Sequence, residues 1–163
     1  MKNIITGLLM LLSISTIICS CNSGGGGTGN PVQPTRAIIK LSVQGATTST
    51  ISGLQATLHL PAGVSVKATA SAPETDSGVV SASGAAAAAD LVLGAYSASR
   101  QTVTVHVVKS SGLGVGEFAT IICDIARGNS PKPTDFSISD VSVWDTNGAL
   151  ITGMSASLTA TIK

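Results

Sequence analysis

From residue 36 to the end of the chain, small and β-branched apolar residues alternate with hydroxyl-bearing ones at a period of two, and no long helical periodicity competes with that pattern. Successive side chains of a strand point to opposite faces, so each alternating run has one face to bury and one to show to water. Ala37, Ile39, Leu41 and Val43 share a face of a first strand, with Ile38, Lys40 and Ser42 opposite. Leu54, Ala56, Leu58 and Leu60 repeat the pattern against Gln55, Thr57 and His59, until Pro61 removes a ladder donor and ends the run. Val64, Val66 and Ala68 continue it, and Leu91, Leu93 and Ala95 begin a further strand. Val103, Val105 and Val107 then face in, with Thr102, Thr104 and His106 out. Beyond a Gly-rich stretch, Ala119, Ile121, Cys123 and Ile125 share a face, which predicts a long hairpin of these two runs at the centre of the sheet.

Phe136 and Ile138 are in phase with each other, whereas Val141 and Val143 have the opposite parity. A bulge near Ser139 and Asp140 returns both pairs to the core. The Asp-Thr-Asn-Gly at 145–148 supplies turn chemistry, because Asn-Gly tolerates the positive φ of a tight hairpin. Met154, Ala156, Leu158, Ala160 and Ile162 face in on the last strand. Five alanines at 85–89 have high helix propensity but are too few to nucleate a stable helix, so one turn is expected there. The polar stretch 71–78 reads as loop. About eight or nine short strands with frequent turns make this an all-β chain, an antiparallel β-sandwich.

A family resemblance sharpens this. Ser-Gly-Leu-Gln-Ala-Thr-Leu-His-Leu-Pro at 52–61 is similar to the second-strand signature of cohesin-like domains, in which an alternating run meets a Pro just before the next strand. Gly-Glu-Phe-Ala-Thr-Ile-Ile-Cys-Asp-Ile at 116–125 resembles their central strand, and 136–148 resembles their closing segment ending in Asp and Gly. Leu60 and Cys123 depart from the family, which prefers aromatics there. The resemblance covers most of 36–163 and implies a jelly-roll sandwich of the kind shared with several carbohydrate-binding modules. It implies non-catalytic binding or scaffolding, through a flat sheet face.

Ahead of this domain, Lys2 and an apolar stretch at 4–18 read as a signal peptide, since a membrane span needs about 20 apolar residues and polar Cys-Asn-Ser-Gly follows too soon. Ile18, Cys19, Ser20 and Cys21 resemble a bacterial lipobox. That resemblance implies cleavage before Cys21 and its acylation, and two or more buried chains hold a protein stably on a membrane. Asn22 stands where an Asp would retain a Gram-negative lipoprotein, so the resemblance points to the outer membrane. Residues 21–35 form a Gly-rich linker with no large apolar group to order it, with a reach of about 20 Å. The expected division is therefore signal 1–20, lipidated linker 21–35 and domain 36–163.

Charge excludes some partners. Nine basic residues less Lys2 leave eight against eight acidic ones, scattered singly, which is no nucleic-acid footprint. Cys19 leaves with the signal and Cys21 is acylated, so Cys123 is a lone thiol on an inward parity, with no disulfide expected. The Gly-Leu-Gly-Val-Gly at 112–116 precedes a β-branched strand rather than a helix and is turn, not phosphate loop. His59 and His106 stand alone on outward parities without ligand spacing, and Asp140, Asp145 and Asn147 are too few for the six to eight oxygens of calcium. No metal or cofactor is expected, and no catalytic motif occurs.

The expectation is a lipid-anchored envelope protein presenting a non-catalytic sandwich to a protein partner, with a carbohydrate-binding lipoprotein as the alternative. Strand parity nominates Thr104, His106, Val108, Thr120 and Ile122 as one outward partner face of the expected hairpin. The lipobox reading predicts that Cys21→Ala yields an unprocessed or soluble form that no longer partitions into a detergent phase. Fractionation with membrane lipid equal to wild type refutes it.

Overall fold

The computed structural model describes residues 32–69 and 74–163; the signal segment, Cys21 and most of the linker lie outside the described residues. Its strands are β1 (Arg36–Gln44), β2 (Ile51–His59), β3 (Val64–Ser65), β4 (Val80–Ala82), β5 (Leu91–Ser97), β6 (Thr102–Leu113), β7 (Gly116–Ile125), β8 (Ser137–Asp145) and β9 (Ser155–Ile162). They form two antiparallel sheets. One has the order β3-β7-β1-β9, with β4 also pairing β7, and the other is β5-β6-β2-β8. The expected all-β sandwich is what the chain forms, and residues 84–86 of the alanine region make a single 3-10 turn.

The core lies between the middle strands. Ala37, Ile39, Leu41 and Val43 of β1 oppose Ala119, Ile121 and Cys123 of β7 within one sheet. In the other, Leu54, Ala56 and Leu58 of β2 oppose Val107, Val105 and Val103 of β6. All of these are buried. Removing a large member, as in Ile121→Ala or Leu58→Ala, costs about 2–5 kcal/mol through lost transfer energy plus the cavity.

Two sequence expectations are overturned, the first being that 112–116 is turn: Gly112 and Leu113 close β6 and Gly116 opens β7. β6 and β7 are not a hairpin: β6 pairs β5 and β2, and β7 pairs β1, β3 and β4, so residues 114–115 carry the chain from one sheet to the other. Sequence neighbours usually pair, but period-2 alternation reports which face of a strand is buried and not which sheet it joins. Gly116, at φ 126, begins the new strand in backbone that side-chain-bearing residues avoid.

Besides a shift between Ile51 and Gly53 at the start of β2, two bulges tune the register. Between Leu41 and Ser42 the β1–β7 ladder shifts, so that Leu41 faces Ala119 while Ser42 faces Glu117. Phe118 is the extra residue, and it is buried beside Ala119 in spite of the alternation. The second lies in β8, between the pairs Gln55–Ser142 and Thr57–Ser139, and it places Asp140 at φ 49. The parity switch around residues 139–140 is the one the sequence requires: Phe136 and Val143 are buried, and Ile138 and Val141 pack partly buried against the core.

Cys123 is a free, buried thiol. Burial, with Asp124 alongside, pushes its pKa up to about 12. The unfolded thiol ionises near about 8.5, so in this window only the unfolded chain releases the proton. Its contribution to stability is complete below about pH 8.5 and declines as pH rises toward 12. Native protein is expected to resist alkylation by iodoacetamide at pH 8 and to react on unfolding in urea. Stoichiometric labelling of the folded protein refutes the burial.

Candidate docking face

Because β5, β6, β2 and β8 pair in continuous order, their outward side chains align in transverse rungs. Leu91, Val108, Gly53 and Trp144 form the first, and Leu93, His106, Gln55 and Ser142 the second. Ala95, Thr104, Thr57 and Ser139 form the third, and Ser97, Thr102, His59 and Ser137 the last. No Asp, Glu, Lys or Arg stands in any rung.

The first rung is apolar from end to end. Leu91 is 46% exposed and Val108 40% exposed, and Leu93 of the second rung, 46% exposed, adjoins them. A Cβ on Gly53 would sit 3.4 Å from Cε3 of Trp144, so the glycine lets the indole lean over β2. Trp144 bridges to Leu150, which is 58% exposed and extends the strip beyond the sheet.

At the opposite end the face is polar. His59 Nε2 lies 2.8 Å from Ser139 Oγ, and Ser139 Oγ donates to Asp140 Oδ2 at 2.9 Å. Ser139 has a single hydroxyl proton, and with that proton on Asp140 the imidazole donates to Oγ rather than accepting from it. A general base takes the nucleophile's proton; this order of donors does the reverse, and what it does is tie the β8 bulge to β2.

Of the five residues nominated by parity, Thr104, His106 and Val108 lie on this face. Thr120 and Ile122 do not. They point outward from the other sheet, where Thr120 Oγ1 donates to Ser83 Oγ at 3.0 Å and the Ile122 amide donates to the Val79 carbonyl at 2.9 Å. Parity was right on each strand, and the single surface fails because β6 and β7 belong to different sheets. The outer face of that second sheet also differs in kind. Lys40 Nζ pairs with Glu117 Oε2 at 2.9 Å across it. The Ser83 hydroxyl, and then Lys40, hold the Glu117 carboxyl below its ordinary pKa.

Sequence reasoning missed Leu91, Leu93, Gly53, Trp144 and Leu150. The sequence marks Leu91, Leu93 and Ala95 as one alternating face of a strand, but Val92 between them is equally apolar; pairing with β6 turns Val92 and Tyr96 towards the core and the two leucines out. The weighed metal sites are not assembled. Asp145 Oδ1 accepts from the amides of Asn147 at 2.8 Å and Ala149 at 2.9 Å, closing its own turn. Asp140 lies five residues back along β8, roughly 15 Å away at strand rise. Among the described residues no group of three or more His, Cys, Asp or Glu is placed to hold a metal.

No protein-family model matches the chain, and no curated protein matches it. Among solved structures, the non-cellulosomal cohesin from the hyperthermophilic archaeon Archaeoglobus fulgidus is similar, with a TM-score of 0.52 over 74% of this chain and 75% of that one, at 11% identity. The likeness is one of fold: this chain is a cohesin-like β-sandwich.

The bulge has a direct test. A β-branched residue at φ 49 is strained by about 1–3 kcal/mol. Asp140→Val is therefore expected to lower the urea midpoint markedly, whereas Asp140→Gly, which relieves the strain while losing the Ser139 contact, changes stability by about 1 kcal/mol or less. Equal effects of the two substitutions refute the conformational argument.

Proposed function

We propose that this chain is a lipid-anchored, non-catalytic binding module of the cell envelope, which presents the outer face of the β5-β6-β2-β8 sheet to a protein partner. The observation that carries this reading is the set of rungs without charged side chains, with Leu91, Leu93 and Val108 exposed beside Trp144. Solvated sheet faces ordinarily carry charges, and an exposed apolar patch rimmed by polar groups marks an interaction site. Charge depletion with an aromatic anchor is also the composition of an interface core. The likeness in fold to a cohesin supports a binding role over a catalytic one.

The direction of the chain suits a tether. β1 begins where Thr35, Ile125 and the turn after β2 come together, joined by the Ile125 amide to the Thr35 carbonyl at 2.9 Å and the Ala126 amide to the Gly63 carbonyl at 2.8 Å. The apolar rung lies at the other end of β2 from the start of β1. A polysaccharide partner would instead stack on a row of aromatics, and Trp144 is the single aromatic in the four rungs.

Leu91→Lys and Leu93→Lys exchange exposed side chains, so the thermal melt is expected to hold within the effect of about 0.5 kcal/mol typical of surface sites. Cross-linking to the envelope partner through a photoreactive group at Thr104 is expected to fall at least tenfold in both variants. Partner cross-linking that is unaffected by either lysine overturns the reading, as does glycan-array binding in place of protein capture.

A further inference from the structure

The sandwich has four lateral edges, and three are obstructed. Thr75 donates to the Gly94 carbonyl at 2.9 Å along β5, and Glu74 bridges to Ala95. Ile151 donates to the Val143 carbonyl at 2.8 Å along β8, whose remaining edge is broken by the bulge at Asp140. On the far side of β7 the two short strands β3 and β4 are already seated. β9 is different. It runs eight residues in unbroken register with β1, and it has no charge, proline, glycine or bulge. Natural edge strands normally carry at least one of these devices against pairing.

Arg36 and Lys163 exchange both backbone hydrogen bonds, at 2.8 and 3.0 Å. Antiparallel ladders alternate, so Thr161, Thr159 and Ser157 also bond β1, while Ala156, Leu158, Ala160 and Ile162 direct their amides and carbonyls to the free edge. The side chains of these four face the core but remain only partly buried, whereas their β1 partners Val43, Leu41, Ile39 and Ala37 are at most 1% exposed. Among the described residues the edge therefore offers both unpaired backbone and incompletely covered apolar surface.

We infer that β9 is a homodimerisation edge, on which a second copy of this chain adds its own β9 antiparallel about a twofold axis with Thr159 opposite Thr159. In that register every outward amide and carbonyl of the four residues is paired at once. Leu158 stands opposite Ala160 and Ala156 opposite Ile162, a large side chain against a small one in each case, so the core faces interlock without crowding. On the outer face Thr159 meets Thr159 and Ser157 meets Thr161, hydroxyl pairs that stabilise antiparallel strands. A neutral strand has no like-charge repulsion to overcome against its own copy. The two sheets containing β9 become continuous, and the β5-β6-β2-β8 faces stay free. One strand per copy makes a small interface, below about 1,200 Å², so the dimer is weak and reversible.

The register gives the test. Thr159 is a non-hydrogen-bonded pair across the axis, with about 4.5 Å between Cα atoms, within reach of a disulfide. Two copies of Thr161 are about 13 Å apart, which no disulfide spans. The full chain in detergent solution is oxidised mildly and run on a non-reducing gel, with wild type as the control for Cys19 and Cys21. Thr159→Cys is expected to convert most of the chain to a disulfide dimer, Thr161→Cys to give no more dimer than wild type, and the double variant Ser157→Cys, Thr161→Cys to cross-link again. Adding the outward pair Ser157→Lys and Thr161→Lys to Thr159→Cys, which sets like charges opposite each other across the axis, is expected to reduce the dimer sharply with the melt retained. Thr159→Cys dimer no greater than wild type, or equal cross-linking through Thr161→Cys, overturns the inference.

Discussion

Contact between the apolar faces of four interior strands holds this molecule together. β1 and β7 on one side and β2 and β6 on the other turn Ile, Leu, Val, Ala and Cys123 inward with essentially no exposure. Each of these strands is hydrogen-bonded on both sides, so the backbone is satisfied by the ladders and the side chains are left to fill the space between sheets. No disulfide supports the described residues. Aromatics contribute little beyond Phe118 and Phe136, so close packing of aliphatic side chains carries the stability.

That interior fixes the outside. Once Val103, Val105 and Val107 are buried, strand geometry sends Thr102, Thr104, His106 and Val108 to the opposite surface, and pairing with β5, β2 and β8 completes the rungs. The proposed docking face is thus built on paired strands rather than assembled from loops. A partner docking there, as proposed, would meet it without ordering a loop first, which lowers the entropic cost of binding. The other sheet shows the contrast, since its outer face carries the Lys40–Glu117 ion pair and is partly roofed by the chain around Val79 and Ser83.

The β8 bulge shows how local strain is tied to the site. Two residues of β8 occupy the space opposite Ala56, with Asp140 in left-handed backbone. The hydrogen-bond chain from His59 through Ser139 to Asp140 holds that conformation at the polar end of the face. Without the bulge, Ile138 and Val143 would require opposite faces of the sheet, and Trp144 would turn from the apolar rung towards the core.

The sequence by itself determined the strands and their buried parities from β1, β2, β6, β7 and β9, the bulge near residue 140, the Asn-Gly turn and the sandwich class, because alternation is a local property that each strand carries unaided. It also determined the lone inward thiol. It left open the sheet to which each strand belongs, because a strand with one buried face packs equally well from either side of a sandwich. Tertiary structure decided that. By sending β6 and β7 to different sheets it divided the nominated face, leaving Thr104, His106 and Val108 on one surface and Thr120 and Ile122 on another. It also chose which face of β5 is buried, where Leu91 and Leu93 alternate with an equally apolar Val92, and so brought Leu91 and Leu93 beside Val108 and across Gly53 from Trp144. The site is a property of cross-strand register, which joins residues far apart in the chain, and no run of neighbouring residues encodes it.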